Sequence, residues 1–538
     1  MTQPPAATPP FGPDATFTSP PASPAASLPA SLPTSQPFPT PRAPSAAPCV
    51  PSAPSALPLL LDGLSLTPAG VSALARRTAT PEVAPAARAR LFQARTVAEQ
   101  IVTKRQVYGL TTGVGANRTT EVSDQAADGH GMRLLRSHSG GIGPLVPVEQ
   151  TRAMLAVRLN QLLRAGSAIN PEVVDRLADV LRSGHVPTVH GYGSVGTADL
   201  SALAELGLAL AGEQPWREAT GTGPTPAPLT LDRWDALPLM SSSALTIAQS
   251  ALSHHDLSRL LDSVPLIAAL SLAAVHGSTE PFAAPVHALR PHAGATTLAA
   301  RMRELLEPIG WQPALIQDPF GFRCLPQVHG AALDAADALG QVLAIELNSA
   351  AENPLLSLEE PADYHHHGGF HQASLALSTD HLRLALLGTA QLSTARFGVL
   401  ASPVFTNLPP FLAEDEDGSS GIMITEYAAA SALAELRGLA QPVTLGHTVL
   451  SRGVEEHASF AATGARHLLE SLPLLRLILA CELVAATRAL RMRGTVLDSG
   501  TVLGRFQRDA AAVLNPDLAD RDLTPDVEAA AALLGRIT

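Results

Sequence analysis

The chain is poor in cysteine: Cys49, Cys324 and Cys481 are the only three in 538 residues. They are too few and too scattered for a disulfide framework or a zinc site, so a reducing, cytoplasmic setting is expected. Aromatic residues make up only 4% and charged residues 16% of the sequence. A net charge of −12 leaves no basic field to hold nucleic acid or an anionic membrane surface. No uninterrupted run of about 18 uncharged apolar residues stands out, so no membrane span is expected. The first residues lack both the basic region and the apolar stretch of a secretory signal.

What is present is apolar and helix-forming. Residues of the apolar class make up 46% of the chain, with Ala and Leu dominant, which favours a large helical core. Residues 1–56 differ: they are mostly Pro, Ala, Ser and Thr, with Asp14 and Arg42 the only charges. Proline at that density blocks helices while little apolar surface offsets chain entropy, so a disordered extension is expected. A strand and turn are predicted from Leu57, then a helix to Ala75 with Thr67 as N-cap and Pro68 as its first residue.

Apolar spacing predicts further helices over 85–105, 148–163, 171–181, 202–211, 243–262, 266–276, 295–306, 330–350, 374–396, 424–439 and 457–490. The later, longer ones predict a bundle of long helices. The organisation read from this is a loop-rich part over 57–240 and a long-helix part over 241–538.

Chemistry-bearing residues sit in the loops. Tyr108-Gly109-Leu110-Thr111-Thr112-Gly113-Val114-Gly115 carries three glycines that let backbone pass close to a ligand. Gly191-Tyr192-Gly193-Ser194-Val195-Gly196-Thr197-Ala198-Asp199-Leu200 precedes a helix whose N-terminus faces back towards it, a disposition that suits an electrophile or anion. His365-His366-His367, with His371 nearby, lacks the spacing of a metal site and reads as a solvated loop.

These loops, in order, resemble motifs of the histidine and aromatic amino acid ammonia-lyases. Tyr108-Gly109 with Thr112-Gly113-Val114-Gly115 looks like the family's Tyr-Gly-Val-Asn-Thr-Gly-Phe-Gly. Ser137-His138, Gln317 to Gln327, Glu346 to Pro354, Gly368 to His371, Gly418 to Ile424 and Glu455-Glu456-His457 match further family runs. The resemblance implies a mainly α, fumarase-like long-helix fold. It also implies a homotetramer whose active sites combine loops of three subunits, and a small-molecule amino acid substrate.

Roles follow residue by residue. Tyr108 is the implied base for the β-proton and Arg323 the implied grip on the substrate carboxylate, while His138 lines the side-chain pocket. Gln327, Asn353 and Glu455 support the amine and the cofactor. The expected reaction is loss of an amine from histidine or an aromatic amino acid. The alternatives are a ring-free lyase acting on a better leaving group, such as a quaternary amine, and a non-catalytic binding homologue. A tyrosine serves as base only where neighbouring positive groups or dipoles lower its pKa from about 10.

The sequence departs from the family where the chemistry lies. The family's Ala-Ser-Gly cyclises to 4-methylideneimidazole-5-one. Here the run is one residue short, and the best register lays Gly196-Thr197-Ala198 on that tripeptide. A methyl-bearing ring from those three residues is conceivable, but its absence is the expectation. Ser241-Ser242 stands in place of Asn-Gly, Phe320 in place of Tyr, and Gly369 in place of Asn.

Overall fold

A computed structural model describes residues 56–218, 223–414 and 417–536. The Pro-rich segment, expected to be disordered, lies outside the described residues. Residues Ala56–Thr538 form one compact unit.

The first ordered segment, Leu57–Leu61, pairs in parallel with Ala79–Val83. Between them Pro68–Ala75 is helical, and the Thr67 side chain accepts from Gly70 N as an N-cap does. The bundle is built on six helices: α1 (Val148–Leu162), α2 (Leu200–Leu210), α3 (Ala244–Val275), α4 (Leu325–Glu346), α5 (Ala373–Leu400) and α6 (Ala461–Met492). The core lies where α3, α5 and α6 pack on one another, with α1 on α3 and α4 on α5. Small pairs of strands hold the loops; Ile142–Leu145 pairs antiparallel with His190–Tyr192 and so ties the His138 segment to the loop after Gly191.

Several expectations need correction. The helices expected over 243–262 and 266–276 are a single helix, α3, running through Pro265. Proline has no N–H to give the Leu261 carbonyl. Buried His329 of α4 faces that carbonyl, but its Nε2 makes no hydrogen bond. The continuous stretch Ala236–Val275 is long and apolar enough to cross a membrane, at mean hydropathy 1.5, but 83% of its apolar window is buried inside the fold. It is a core helix. Asp124–His138 is a helix that the sequence reading leaves out, as it does the strand Trp216–Glu218, which pairs with His185–Pro187.

The helix expected from 457 begins only at Ala461. Phe460 takes a left-handed backbone (φ 56°) and donates its N–H to the Val195 carbonyl at 2.8 Å. The turn before α6 is thus spent on holding the Gly191–Leu200 loop.

Candidate active site

Tyr108 opens a glycine-rich turn, and its hydroxyl accepts the Gly115 N–H at 2.7 Å. Next to Gly115, the Ala116 N–H donates to Ser451 Oγ at 3.2 Å, which brings the turn carrying Glu455 alongside. Tyr108 N–H donates to His366 Nε2 at 3.3 Å, and the two rings meet edge to face. Burial pushes the Tyr108 phenol above its ordinary pKa; Glu455 adds to that, while the Gly115 N–H and Arg118 oppose it. The lowered pKa expected for a base is therefore not met within one chain, because desolvation outweighs the two favourable groups.

The histidine run is exposed at His365 and His366, as expected, but it is also tied down. His367 N–H donates to Asn353 Oδ1 at 3.0 Å, and its Nε2 bonds the Glu352 carbonyl at 2.7 Å. His371 Nε2 lies 3.0 Å from His457 Nδ1. Asn353 N–H in turn donates to Ser241 Oγ at 2.9 Å, and the Ser242 carbonyl accepts the Asp199 N–H at 2.8 Å. Hydrogen bonds therefore connect Tyr108, through the histidine loop and Asn353, to the end of the Gly191–Leu200 loop. Below them Glu352 is paired with Arg158 at 2.8 Å, both fully buried.

That loop is held from several sides. Asp199 is buried, and its carboxylate accepts Thr246 N–H and Oγ1–H at 2.8 and 2.9 Å, which caps the first turn of α3. Burial raises its pKa, against the Thr246 and Ser194 hydrogen bonds. The Gly196 carbonyl accepts from Ser459 Oγ at 2.8 Å and from Gln372 N–H at 3.3 Å. Gln372 Nε2 donates to Glu346 Oε2 at 3.0 Å, and burial raises the Glu346 pKa.

Other expected residues stand apart. His138 ends its own helix, its Nδ1 engaged by the Leu134 carbonyl at 2.9 Å. Arg323 closes a one-turn helix, Phe320–Arg323, with its guanidinium 4.6 Å above the Phe320 ring. Gln327 is exposed on α4. Among the described residues no hydrogen bond or ion pair links Arg323 or Gln327 to the loops of Tyr108, Gly196 or Glu455. Ser459 and Gln372 are not among the residues that sequence reasoning singles out; the only signal for them is their position beside the matched motifs.

Residues 66–512 match the aromatic amino acid lyase family. The chain belongs to that family. It is 32% identical over 487 residues to histidine ammonia-lyase of Streptomyces coelicolor, covering 87% of this chain and 95% of that protein. It is 33% identical over 493 residues to the histidine ammonia-lyase of Symbiobacterium thermophilum, covering 88% and 96%. Among solved structures, histidine ammonia-lyase from Trypanosoma cruzi superposes with a TM-score of 0.81 at 28% identity, covering 89% of this chain and 93% of that one. Ergothionase from Treponema denticola, an ergothioneine-degrading enzyme, gives 0.81 at 27% identity, covering 89% and 98%. Tyrosine aminomutase from Streptomyces globisporus gives 0.81 at 28% identity, covering 89% and 97%. With this family comes carbon–nitrogen lyase chemistry, on the mainly helical fold expected.

The family's ring would arise at Gly196-Thr197-Ala198, and the local geometry fits it poorly. A Cβ at Gly196, where the family has alanine, would meet Ser459 Oγ at 2.1 Å and Ala461 N at 2.7 Å. Ala198, where the family has glycine, is held at φ 93°, which its own Cβ disfavours. Thr197 carries a methyl where serine's dehydrated carbon should be bare. These residues do not fit the group.

Proposed function

We propose that this chain is a carbon–nitrogen lyase that eliminates an amine from a histidine-like or aromatic α-amino acid, with Tyr108 as the base. The single observation that carries the reading is the Tyr108 hydroxyl on the Gly115 N–H, beside Glu455 and joined through His366, His367 and Asn353 to the Gly191–Leu200 loop. Its support is the 32% identity to a histidine ammonia-lyase over most of the chain. The Gly115 N–H is an oriented dipole that stabilises the phenolate form.

Ammonia is a poor leaving group, and its loss from histidine needs an electrophile on the amine. Since Gly196-Thr197-Ala198 does not fit that electrophile, the reading favoured here is elimination of an amine that already leaves well. In a quaternary ammonium substrate the Tyr108 oxygen takes the β-proton and the C–H pair becomes the new C=C bond. The C–N pair then departs on nitrogen as a neutral tertiary amine. The ergothionase likeness supports this branch, since ergothioneine is a histidine betaine. Arg323 is assigned the substrate carboxylate, which its planar fork suits bidentately. In the assembled protein, which we take to be a homotetramer, Arg323 is supplied from another subunit, in keeping with the lack of any hydrogen bond or ion pair between it and the Tyr108 loop among the described residues. His138 is assigned to the side-chain pocket, and Gln327, Asn353 and Glu455 to the amine.

The test is turnover of histidine, phenylalanine, tyrosine and their trimethylammonium betaines by the purified chain, followed by the absorbance of the unsaturated acid. Betaine turnover abolished in Tyr108→Phe is the expected result. Turnover that persists in Tyr108→Phe removes the base from the account. Turnover of the free amino acids alone returns the reaction to ammonia loss.

A further inference from the structure

The buried core between α3, α5 and α6 holds a charge cluster that the proposed reaction does not use. Glu482 and Arg396 are fully buried, and the guanidinium donates Nε and Nη2 to the two carboxylate oxygens at 2.6 and 2.8 Å. Ser271 and Ser393 donate their hydroxyls to the same carboxylate at 2.8 and 2.6 Å. A buried ion pair is weak evidence for stability, because apolar residues of like volume often serve as well. This pair also reaches outwards: Arg396 Nη1 donates to the Gly321 carbonyl at 3.1 Å.

Gly321 lies inside the one-turn helix Phe320–Arg323. A single turn cannot hold its own conformation, so its pose comes from what it docks on. Phe322 is buried beneath it, whereas Phe320 is 63% exposed and carries the Arg323 guanidinium on its ring. The contact on Arg396 is close: a Cβ at Gly321 would stand 3.0 Å from Arg396 Cγ and 3.3 Å from its backbone nitrogen.

We infer that the Arg396–Glu482 pair positions Arg323, fixing from inside the core the direction in which that guanidinium meets a substrate carboxylate. Arg396 and Glu482 are positioning residues, not catalytic ones. The inference rests on the carboxylate role proposed for Arg323.

The experiment compares binding of histidine and of histamine, which lacks the carboxylate, to the full-length protein by titration calorimetry. Arg396→Lys keeps a buried cation for Glu482 but cannot span to Gly321, and Gly321→Ala pushes the turn from the other side. Should the lysine variant fail to fold, the glycine variant carries the test. The expected result is a loss of histidine affinity of roughly tenfold with histamine affinity held, since small misplacement of a clamp is costly. A general loosening of structure would weaken both ligands equally, and that result overturns the inference. So does unchanged histidine affinity in both variants when Arg323→Ala loses it. If Arg323→Ala itself binds histidine as the parent does, the role proposed for Arg323 falls and takes this inference with it; a parent that binds no histidine is compared in the same way with the trimethylammonium betaine of histidine, and if it binds neither, both fall.

Discussion

Ser459 Oγ donates to the Gly196 carbonyl at 2.8 Å, across 263 positions of sequence. The same hydroxyl fills the space that a side chain on residue 196 would need. One hydrogen bond therefore fixes the loop and fits it to glycine. The backbone strain appears two residues on, where Ala198 is held at φ 93°. Strain of this kind costs on the order of 1–3 kcal/mol and persists only where the surroundings impose it.

Ala198→Gly relieves that strain. We expect it to stabilise the folded protein by about 1 kcal/mol, offset in part by the greater freedom of glycine in the unfolded chain. Denaturant unfolding of the two proteins under matched conditions checks this; a loss of stability would mean that the Ala198 methyl is a needed packing group.

The Arg158–Glu352 pair lies under the Tyr108–Asn353 segment and is wholly buried. Arg158 also donates to the backbone carbonyls of Leu239 and Pro238. Glu352→Ala leaves that guanidinium without its counter-charge. A destabilisation of about 3–5 kcal/mol is expected, read as a lower denaturation midpoint. A change under 1 kcal/mol would show that the carbonyls alone satisfy Arg158.

Burial pushes the His329 imidazole down to about 3, with Arg396 adding to the shift and the Leu261 carbonyl opposing it. The unfolded chain takes up this proton near pH 6.5 while the folded chain does not until about pH 3. Stability from this group is therefore complete above pH 6.5 and falls on acidification, by about 1.4 kcal/mol per pH unit. His329→Gln should flatten the acid limb of the stability profile between pH 6.5 and about 4. An acid limb of equal slope in that variant would place the sensitivity elsewhere.

The sequence made the helices legible where local signals and burial agree. Thr67 and Pro68 mark a helix start that the structure places on the same residues, and Pro171 opens a helix capped by Asn170. Pro265 misled because the residues around it are buried against other helices, and no local pattern encodes that packing. The start of α6 misled for the same reason: 457–460 has helical composition, yet Phe460 is drawn to the Val195 carbonyl. The matched motifs name Tyr108, Asn353 and Glu455, and the fold brings the turns that carry them together. Local composition makes the histidine run solvated, which holds for exposed His365 and His366, but carries no sign that His366 and His367 are engaged by Tyr108 and Asn353. That no hydrogen bond or ion pair links Arg323 to the Tyr108 loop among the described residues is a matter of long-range packing and has no local signature.

The central claim is that Tyr108 works without a ring at Gly196-Thr197-Ala198, and intact-mass spectrometry of the purified, catalytically active protein tests it most directly. The account predicts the full mass of the polypeptide, with no water lost. A mass lower by two waters, mapped to the peptide that contains Thr197, would contradict it.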